Sequence, residues 1–328
     1  MSKRKKKNES PIMHMILGIV VLCIIMAVGG NLDSNLIESL KNGVESDSLE
    51  NVENVENNDI NTNKGVNVDG KLIVDFIDVG QGDSILIRQG EHTMLIDGGT
   101  SACKDDLLMF LKDENIDSFD YIIGTHPHED HIGSLDDVVN TYDFDTIFFP
   151  KVTTTTKTFE NLVIAVSNKN KKFTTPLSGN EYNLGDAKFT ILAPSSDSYQ
   201  SLNNYSIVIK LTYGNTSFMF TGDAETLSET EILNSFEDLK ADVLKVGHHG
   251  STTSTSKKFL NAISPKYAVI SVGKDNSYNH PTKTTMDKLQ ELNIPVYRTD
   301  EQGTVECISD GTNISFNVEP ASYSYMGD

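Results

Sequence analysis

The sequence predicts an α/β (α+β) fold, a four-layer αββα sandwich in which two β-sheets pack face to face between outer helices. Short apolar segments of strand character alternate with helical segments from residue 71 to residue 328. Two histidine loops, at 126–131 and 248–249, directly follow such strands. Mixed strands separated by helices are typical of layered sheets, and each half would then supply one side of a metal cleft.

Residues 1–30 predict a membrane segment behind a basic N-terminus. Residues 3–7 are all Lys or Arg, and residues 12–30 contain no Asp, Glu, Lys or Arg. As a helix, that segment crosses most of a ~30 Å hydrocarbon core. We favour an uncleaved single-pass anchor in the cell membrane. A cleaved secretory signal is the alternative, because Ala27-Val28-Gly29 offers small residues for cleavage.

The same segment predicts location. A basic block before an apolar helix stays in the cytoplasm, so the residues after Gly30 are expected to be extracellular, or secreted if cleavage occurs. Through this helix the cell membrane becomes a predicted partner of the chain.

Residues 31–70 predict an acidic, flexible linker. The segment is rich in Asn, Glu, Asp and Ser and contains no aromatic residue. Low hydrophobicity with excess negative charge prevents burial of enough apolar surface to fold. An amphipathic helix over 32–49 is the alternative, because Leu36, Leu40 and Val44 keep helical spacing.

Residues 71–328 predict one acidic domain with enough apolar sequence for a single core. The formal net charge of the chain is -20, and most of it falls in this domain. Such a charge repels phosphate backbones, so nucleic acid is not favoured as a partner. Cys103 and Cys307 could pair, but spacing alone does not decide whether they meet.

Alternation and helical spacing give the elements of this domain in order. Predicted strands are 71–78, 84–88, 93–97, 119–125, 203–211, 217–221, 242–246 and 267–272, with more strands near the C-terminus. Predicted helices are 105–112, 134–142, 227–236, 255–263 and 282–292.

The strongest chemical signal is the run His-Pro-His-Glu-Asp-His at 126–131. The chain has 8 histidines, and three of them fall in these six positions. Imidazole and carboxylate are ligands of Zn²⁺ and its first-row neighbours, and no packing requirement explains this density. In an extended loop His126 and His128 share one side, while Asp130 and His131, where the chain turns into a helix, can face a second metal.

Two further strand ends supply candidate ligands. Phe-Thr-Gly-Asp ends at Asp223, and Val-Gly-His-His-Gly-Ser contains His248 and His249. Asp223 is the natural bridging ligand. A carboxylate between two cations brings them close enough to share a water, whose pKa falls until hydroxide is available near neutral pH.

These motifs together resemble the metallo-β-lactamase superfamily over residues 71 to about 317. Three further segments indicate a subgroup within this superfamily. They are Phe-Ile-Asp-Val-Gly-Gln-Gly-Asp-Ser at 76–84, Leu-Ile-Asp-Gly-Gly at 95–99 and Asn-Ser-Tyr-Asn-His-Pro at 276–281. They resemble the hydrolase-like domain of ComEC-like competence proteins and the bacterial cell-surface phosphorylcholine esterases.

The resemblance implies two divalent metal ions, with zinc favoured and manganese or iron as alternatives. Ligands would be His126 and His128 for the first ion, Asp130 and His131 for the second, and Asp223 between them. For the remaining ligand we favour His248, because it directly follows strand and glycine. His249 would then support a ligand or contact substrate, and the two could be exchanged.

The sequence departs from lactamases in one place. Asn-Asn-Tyr-Ser at 203–206 stands where a further histidine would complete the first site. This places occupancy of that site, and hydrolysis of β-lactams, in question.

The predicted catalytic residues are Asp130, His249 and His280. Asp130 would orient the nucleophile, and His280 would contact a phosphoryl group or cap the following helix. Asp97 is expected to orient a metal ligand by a hydrogen bond. Asp78, Gln81 and Asp83 are expected to fix the turn after the first strand, and Ser251 to be a helix N-cap.

The sequence therefore predicts an exported, membrane-tethered metal-dependent hydrolase that uses a metal-bound hydroxide. A phosphodiester or related ester at the cell envelope is the favoured substrate, either a small molecule or an envelope polymer. The alternatives are a non-hydrolytic module that binds a metal or ligand, and a lactonase or β-lactamase type of hydrolase.

Overall fold

The computed structural model of the protein describes residues 70–325. The predicted anchor at 12–30 and nearly all of the predicted linker at 31–70 lie outside these residues. Within 70–325, no helix combines the length and apolar character needed to span a membrane.

The strands in chain order are β1 (Leu72–Phe76), β2 (Ile85–Gln89), β3 (His92–Ile96), β4 (Ser118–Ile123), β5 (Asp143–Phe148), β6 (Phe173–Thr174), β7 (Glu181–Leu184), β8 (Ala187–Ala193), β9 (Val208–Tyr213), β10 (Thr216–Phe220), β11 (Val243–Lys245), β12 (Tyr267–Ile270), β13 (Val296–Arg298), β14 (Val305–Ser309) and β15 (Ile314–Phe316). The helices are α1 (Lys104–Asp113), α2 (Glu129–Ile132), α3 (Leu135–Thr141), α4 (Lys157–Asn168), α5 (Thr226–Ser235), α6 (Lys257–Ile263), α7 (Lys283–Glu291) and α8 (Thr299–Gln302).

These strands form two sheets in the described part of the chain. The first has the order β15-β14-β1-β2-β3-β4-β5-β6, and the second β13-β12-β11-β10-β9-β8-β7. Each sheet contains a parallel region, formed by β3 to β6 in the first and by β10 to β13 in the second. The other neighbouring strands pair antiparallel.

Three apolar clusters divide residues 70–325 into layers. One lies between the sheets and includes Phe76, Phe189 and Phe218, all fully buried. The alternate strand residues face outward, because successive side chains of a strand point to opposite faces. Another apolar cluster packs α1, α3 and α4 against the outer face of the first sheet. The remaining apolar cluster packs α5, α6 and α7 against the outer face of the second sheet. The predicted two-sheet sandwich is confirmed.

The parallel regions position the chemistry. The carboxyl ends of parallel strands lie at one edge of a sheet, where loops can carry functional groups. In the first sheet β4 ends just before the 126–131 loop. In the second, β10 ends before Asp223 and β11 before the two histidines.

Some predicted elements differ from the structure. The strand predicted from 203 begins only at Val208, because Leu202–Tyr205 forms a 3-10 turn. The side-chain amides of Asn203 and Asn204 in this turn donate hydrogen bonds to the Glu225 carboxylate. Residues 143–202, for which the patterns gave no elements, form β5 to β8 and α4.

The predicted cap was also wrong. Ser256, not Ser251, caps α6, and its hydroxyl accepts a hydrogen bond from the Phe259 amide. Cys103 and Cys307 are both free and buried, so they do not form a disulfide.

Candidate metal centre

The 126–131 loop is held at its start by Asp97. That carboxylate accepts hydrogen bonds from the backbone amide of Thr125 at 2.8 Å and from its hydroxyl at 2.7 Å. Asp97 follows β3 with a positive φ of 59°, a conformation in which Asp is over-represented among residues other than glycine. The neighbouring strands thus fix where the histidine loop begins.

A first group of donor atoms is formed by His126, His128 and Asp223. His126 Nε2 lies 3.0 Å from His128 Nδ1 and 3.7 Å from Asp223 Oδ2. On the other edge of the His126 ring, Nδ1 lies 3.1 Å from the Thr125 hydroxyl and 3.3 Å from the Ser206 hydroxyl. We call these three residues the first cluster.

A second group is formed by Asp130, His131 and His249, and Asp223 reaches it with its other oxygen. Asp223 Oδ1 lies 3.3 Å from His131 Nε2 and 3.6 Å from His249 Nε2. Asp130 Oδ2 lies 3.3 Å from His249 Nε2. We call this the second cluster.

Hydrogen bonds at Nδ1 orient the two histidine rings of the second cluster. His131 Nδ1 lies 2.8 Å from Asp97 Oδ2, and His249 Nδ1 lies 2.9 Å from the Ser271 carbonyl oxygen. Metal-binding histidines characteristically donate their second ring N–H to a carboxylate or a backbone carbonyl. The hydrogen bond predicted for Asp97 is present.

The buried polar atoms of the second cluster lack partners. His131 Nε2, His249 Nε2 and Asp223 Oδ1 are buried and have no hydrogen-bond partner within residues 70–325. Burying polar atoms without partners is costly. Because these three atoms converge on one point, the residues fit a shared cation.

The charges lead to the same conclusion. Asp83, Asp97 and Asp223 are buried, Asp130 is partly buried, and Lys245 is the buried lysine that pairs with this group. The acidic excess is not balanced by permanent positive charge in the described residues near it. Buried carboxylates need cations or hydrogen-bond donors beside them, so two divalent ions would suit this site.

The pKa values of the histidines reflect these buried charges. Burial lowers the pKa of His249, but Asp223 and Asp83 outweigh it and raise the pKa to about 9. Burial, together with His131, holds the pKa of His126 well below its ordinary value. The centre therefore attracts positive charge most strongly at the second cluster.

His248 and His249 divide between the clusters. His248 Nε2 lies 3.5 Å from Asp223 Oδ2, the oxygen that faces His126, and its side chain is 23% exposed. His249 is buried and faces Asp130. The geometry therefore favours the exchanged assignment, with His249 as the remaining ligand of the second cluster and His248 beside the first.

The centre opens into a cleft of about 440 Å³, bordered by Gln81, Thr100, His128, Glu129, Asp130, Asp223, His248, His249, Tyr278 and His280. His280 is 8% exposed, and its buried Nδ1 has no hydrogen-bond partner in the described residues. Asn276 holds this loop by accepting from the amides of Tyr278 and His280, both at 3.1 Å. His280 thus lies in the cleft wall and does not cap α7, which begins after Thr282.

Comparison with known families accounts for this arrangement. Residues 77–274 match the model of the metallo-β-lactamase superfamily. The chain belongs to the metallo-β-lactamase superfamily.

Two relatives agree with the ComEC-like resemblance. ComE operon protein 3 of Bacillus subtilis is 33% identical over 265 residues, covering 75% of this chain and 34% of that protein. Competence protein ComA of Neisseria gonorrhoeae is 29% identical over 231 residues, covering 70% of this chain and 31% of that protein. This metallo-β-lactamase chain therefore spans about a third of the length of these relatives.

Among solved structures, the metallo-β-lactamase fold protein YhfI of Bacillus subtilis aligns with a TM-score of 0.47 and 14% identity. The alignment covers 72% of this chain and 99% of that one.

Two residues of the metallo-β-lactamase centre were missed from the sequence. Ser206 donates toward His126 or accepts from it, and its hydroxyl accepts from the Asp223 amide at 3.0 Å. Lys245, the last residue of β11, is fully buried behind the second cluster. A lysine in an otherwise apolar strand directly before two histidines was the signal that could have identified it.

Proposed function

We propose that this chain hydrolyses a phosphodiester or related ester with two divalent cations held between the first and second clusters. The observation that carries the proposal is the position of Asp223, whose two oxygens face different groups of histidines. A carboxylate shared in this way is typical of two-metal hydrolytic centres. Zinc is our first choice, because histidine and aspartate suit it, and manganese or iron would also be accepted.

The bound cations would supply Lewis acidity and a water of lowered pKa. Six residues would hold the ions: His126, His128, Asp130, His131, Asp223 and His249. Asp130 would also orient the attacking water, because it lies at the cleft surface. His280 and His248 line the cleft, which supports a role for both in contacting the phosphoryl group.

A phosphodiester is favoured because two cations can stabilise both the attacking and the leaving oxygen. We further propose that the domain acts outside the cell on a small molecule or an envelope polymer, tethered by the apolar segment 12–30. The net charge of -20 weighs against long nucleic acids as substrates.

The test combines metal analysis with hydrolysis of bis(p-nitrophenyl) phosphate by the full chain. We expect two equivalents of metal and diester turnover in the wild type, and loss of both ordered binding and turnover in Asp223→Asn. His92→Gln is the matched control, since this histidine lies at the surface with Asp120, away from the cleft. It should retain metal and activity.

The alternative functions predict different outcomes. Equal inactivity of metal-loaded wild type and Asp223→Asn on diesters, monoesters, lactones and β-lactams would support the binding module. Turnover of nitrocefin or an acyl lactone without diester hydrolysis would support a lactamase or lactonase.

A further inference from the structure

Lys245 carries its ammonium group in the protein interior, where an unpaired charge is strongly destabilising. Its side chain is fully buried at the end of β11. Its Nζ lies 2.5 Å from Asp83 Oδ2 and 3.4 Å from the carbonyl oxygen of Gly222. The ammonium group therefore joins the loop after β1 to the turn that carries Asp223.

Asp83 extends this link to the second cluster. Its Oδ1 lies 3.3 Å from His249 Nδ1, and its Oδ2 lies 3.8 Å from His131 Nδ1. Both contacts are on the Nδ1 edges, opposite the Nε2 atoms that face Asp223. Its backbone amide also donates to the carbonyl oxygen of Asp130 at 3.1 Å.

Within residues 70–325, no ion pair of this kind lies behind the first cluster. The Nδ1 edge of His126 contacts the hydroxyls of Thr125 and Ser206, which carry no charge. The ion pair therefore distinguishes the two clusters.

We propose that Lys245 and Asp83 are positioning residues that act selectively on the second cation. This inference rests on the proposed metal-dependent function. Because the pair carries no net charge, it does not attract the cation from a distance. Asp83 packs against the Nδ1 edges of His131 and His249, whose hydrogen bonds go to Asp97 and to the Ser271 carbonyl oxygen. The pair thus supports the orientation in which both Nε2 atoms face Asp223, as groups behind metal ligands generally do.

Removing the ammonium group should release this hold. In Lys245→Met the buried Asp83 carboxylate would lose its ammonium partner, and a buried charge without its partner is expected to shift, together with the side chains in contact with it. The second cation should then bind about 10–100-fold more weakly, which is the usual effect of losing a group behind a metal ligand. Affinity for the first cation should stay near the wild-type value.

The experiment measures the two metal equivalents separately, by competition with a chelator, and records the visible spectrum of the Co²⁺-loaded full chain. The variants are Lys245→Met and the double variant Asp83→Asn/Lys245→Met, which leaves no unpaired charge and should fold even where the single one does not. Measurement in a His126→Ala background identifies the equivalent that belongs to the second cluster.

Arg88→Met is the matched control. Arg88 forms another largely buried ion pair, 2.7 Å from Asp75, and does not contact the clusters. It should lower stability and leave both metal affinities and the Co²⁺ spectrum unchanged.

The inference is supported if both Lys245 variants weaken the binding of the second cation, leave the binding of the first unchanged and alter the Co²⁺ spectrum. It is overturned if either folded variant binds both cations as the wild type does, or if both equivalents weaken equally. A wild type that binds two cations without hydrolysing any ester would reject the proposed function and leave this test intact.

Discussion

Among single residues, His248 and His249 are the most informative. They are adjacent in the chain, yet their Nε2 atoms approach different oxygens of Asp223. Both have positive φ, 51° and 52°, an unusual conformation for residues other than glycine. This backbone turns the two rings apart, so that one is buried in the second cluster and the other stays at the cleft.

The two histidines should therefore differ on substitution. We expect His249→Ala to lose one metal equivalent and about 10²–10⁴ of kcat/KM, because a ligand and its orientation are both removed. His248→Ala should keep the second cation and lose less activity. Metal content after dialysis and diester kinetics measure both effects, and equal metal loss in the two variants would contradict the assignment.

Asp75 gives a prediction about pH and stability. It is buried and shares Arg88 with Glu114, and burial raises the pKa of Asp75 to about 6 despite Arg88. The folded protein thus binds this proton more tightly than the unfolded chain does. Its contribution to the free energy of unfolding is complete below about pH 4 and is lost as the pH rises through 6.

Asp75→Asn removes this titration. The difference in free energy of unfolding between wild type and variant should fall by about 2 kcal/mol between pH 4 and pH 6. Urea denaturation at several pH values measures it, and a difference that stays constant over this range would refute the prediction.

Among the elements, the loop after β1 and the histidine loop depend on close backbone contact. Gly82 has a φ of +146°, and a Cβ there would overlap the carbonyl oxygen of Asp130. The same loop donates the Asp83 amide to that oxygen. A side chain at Gly82 would therefore push Asp130 out of the second cluster.

Gly80 provides a control for this contact. It also has positive φ, +72°, but a Cβ there would meet nothing within 4 Å. Gly80→Ala should cost about 1 kcal/mol of stability through backbone strain and keep activity. Gly82→Ala should cost more and lower both the second metal affinity and kcat/KM. Thermal unfolding and metal titration test this pair, and equal effects would exclude the contact as the cause.

For the whole molecule, the C-terminal strands complete the first sheet. The register of β14 with β1 runs from Leu72 opposite Ser309 to Phe76 opposite Val305. Val305 and Cys307 are fully buried between the sheets. The folded unit thus extends beyond residue 274, where the family match ends.

Truncation after Gly303 should prevent folding. It removes two fully buried apolar side chains, each worth roughly 1.5–3 kcal/mol, together with the pairing of β1. This is a large part of the usual net stability of about 5–15 kcal/mol. Truncation after Tyr325 is the control and should fold normally. Soluble yield and circular dichroism compare the two, and a folded chain ending at Gly303 would disprove the expectation.

Much of the fold and part of the site followed from local patterns. Short apolar segments located β1 to β4 and β10 to β12, because these strands pack against the other sheet on one face and against helices on the other. The run 126–131 indicated metal chemistry, since its ligand types are adjacent in the chain. The start of β9 was misplaced, because buried Asn203 and Asn204 form a polar turn where the pattern suggested a strand.

The sequence by itself determined that metal-binding residues stand at strand ends of a two-sheet protein. Only the tertiary structure decided how they divide around Asp223, that His249 rather than His248 faces Asp130, and that Lys245 lies against Asp83. The physical reason is that these contacts join distant segments across two sheets. No periodicity along the chain records which side chains meet there.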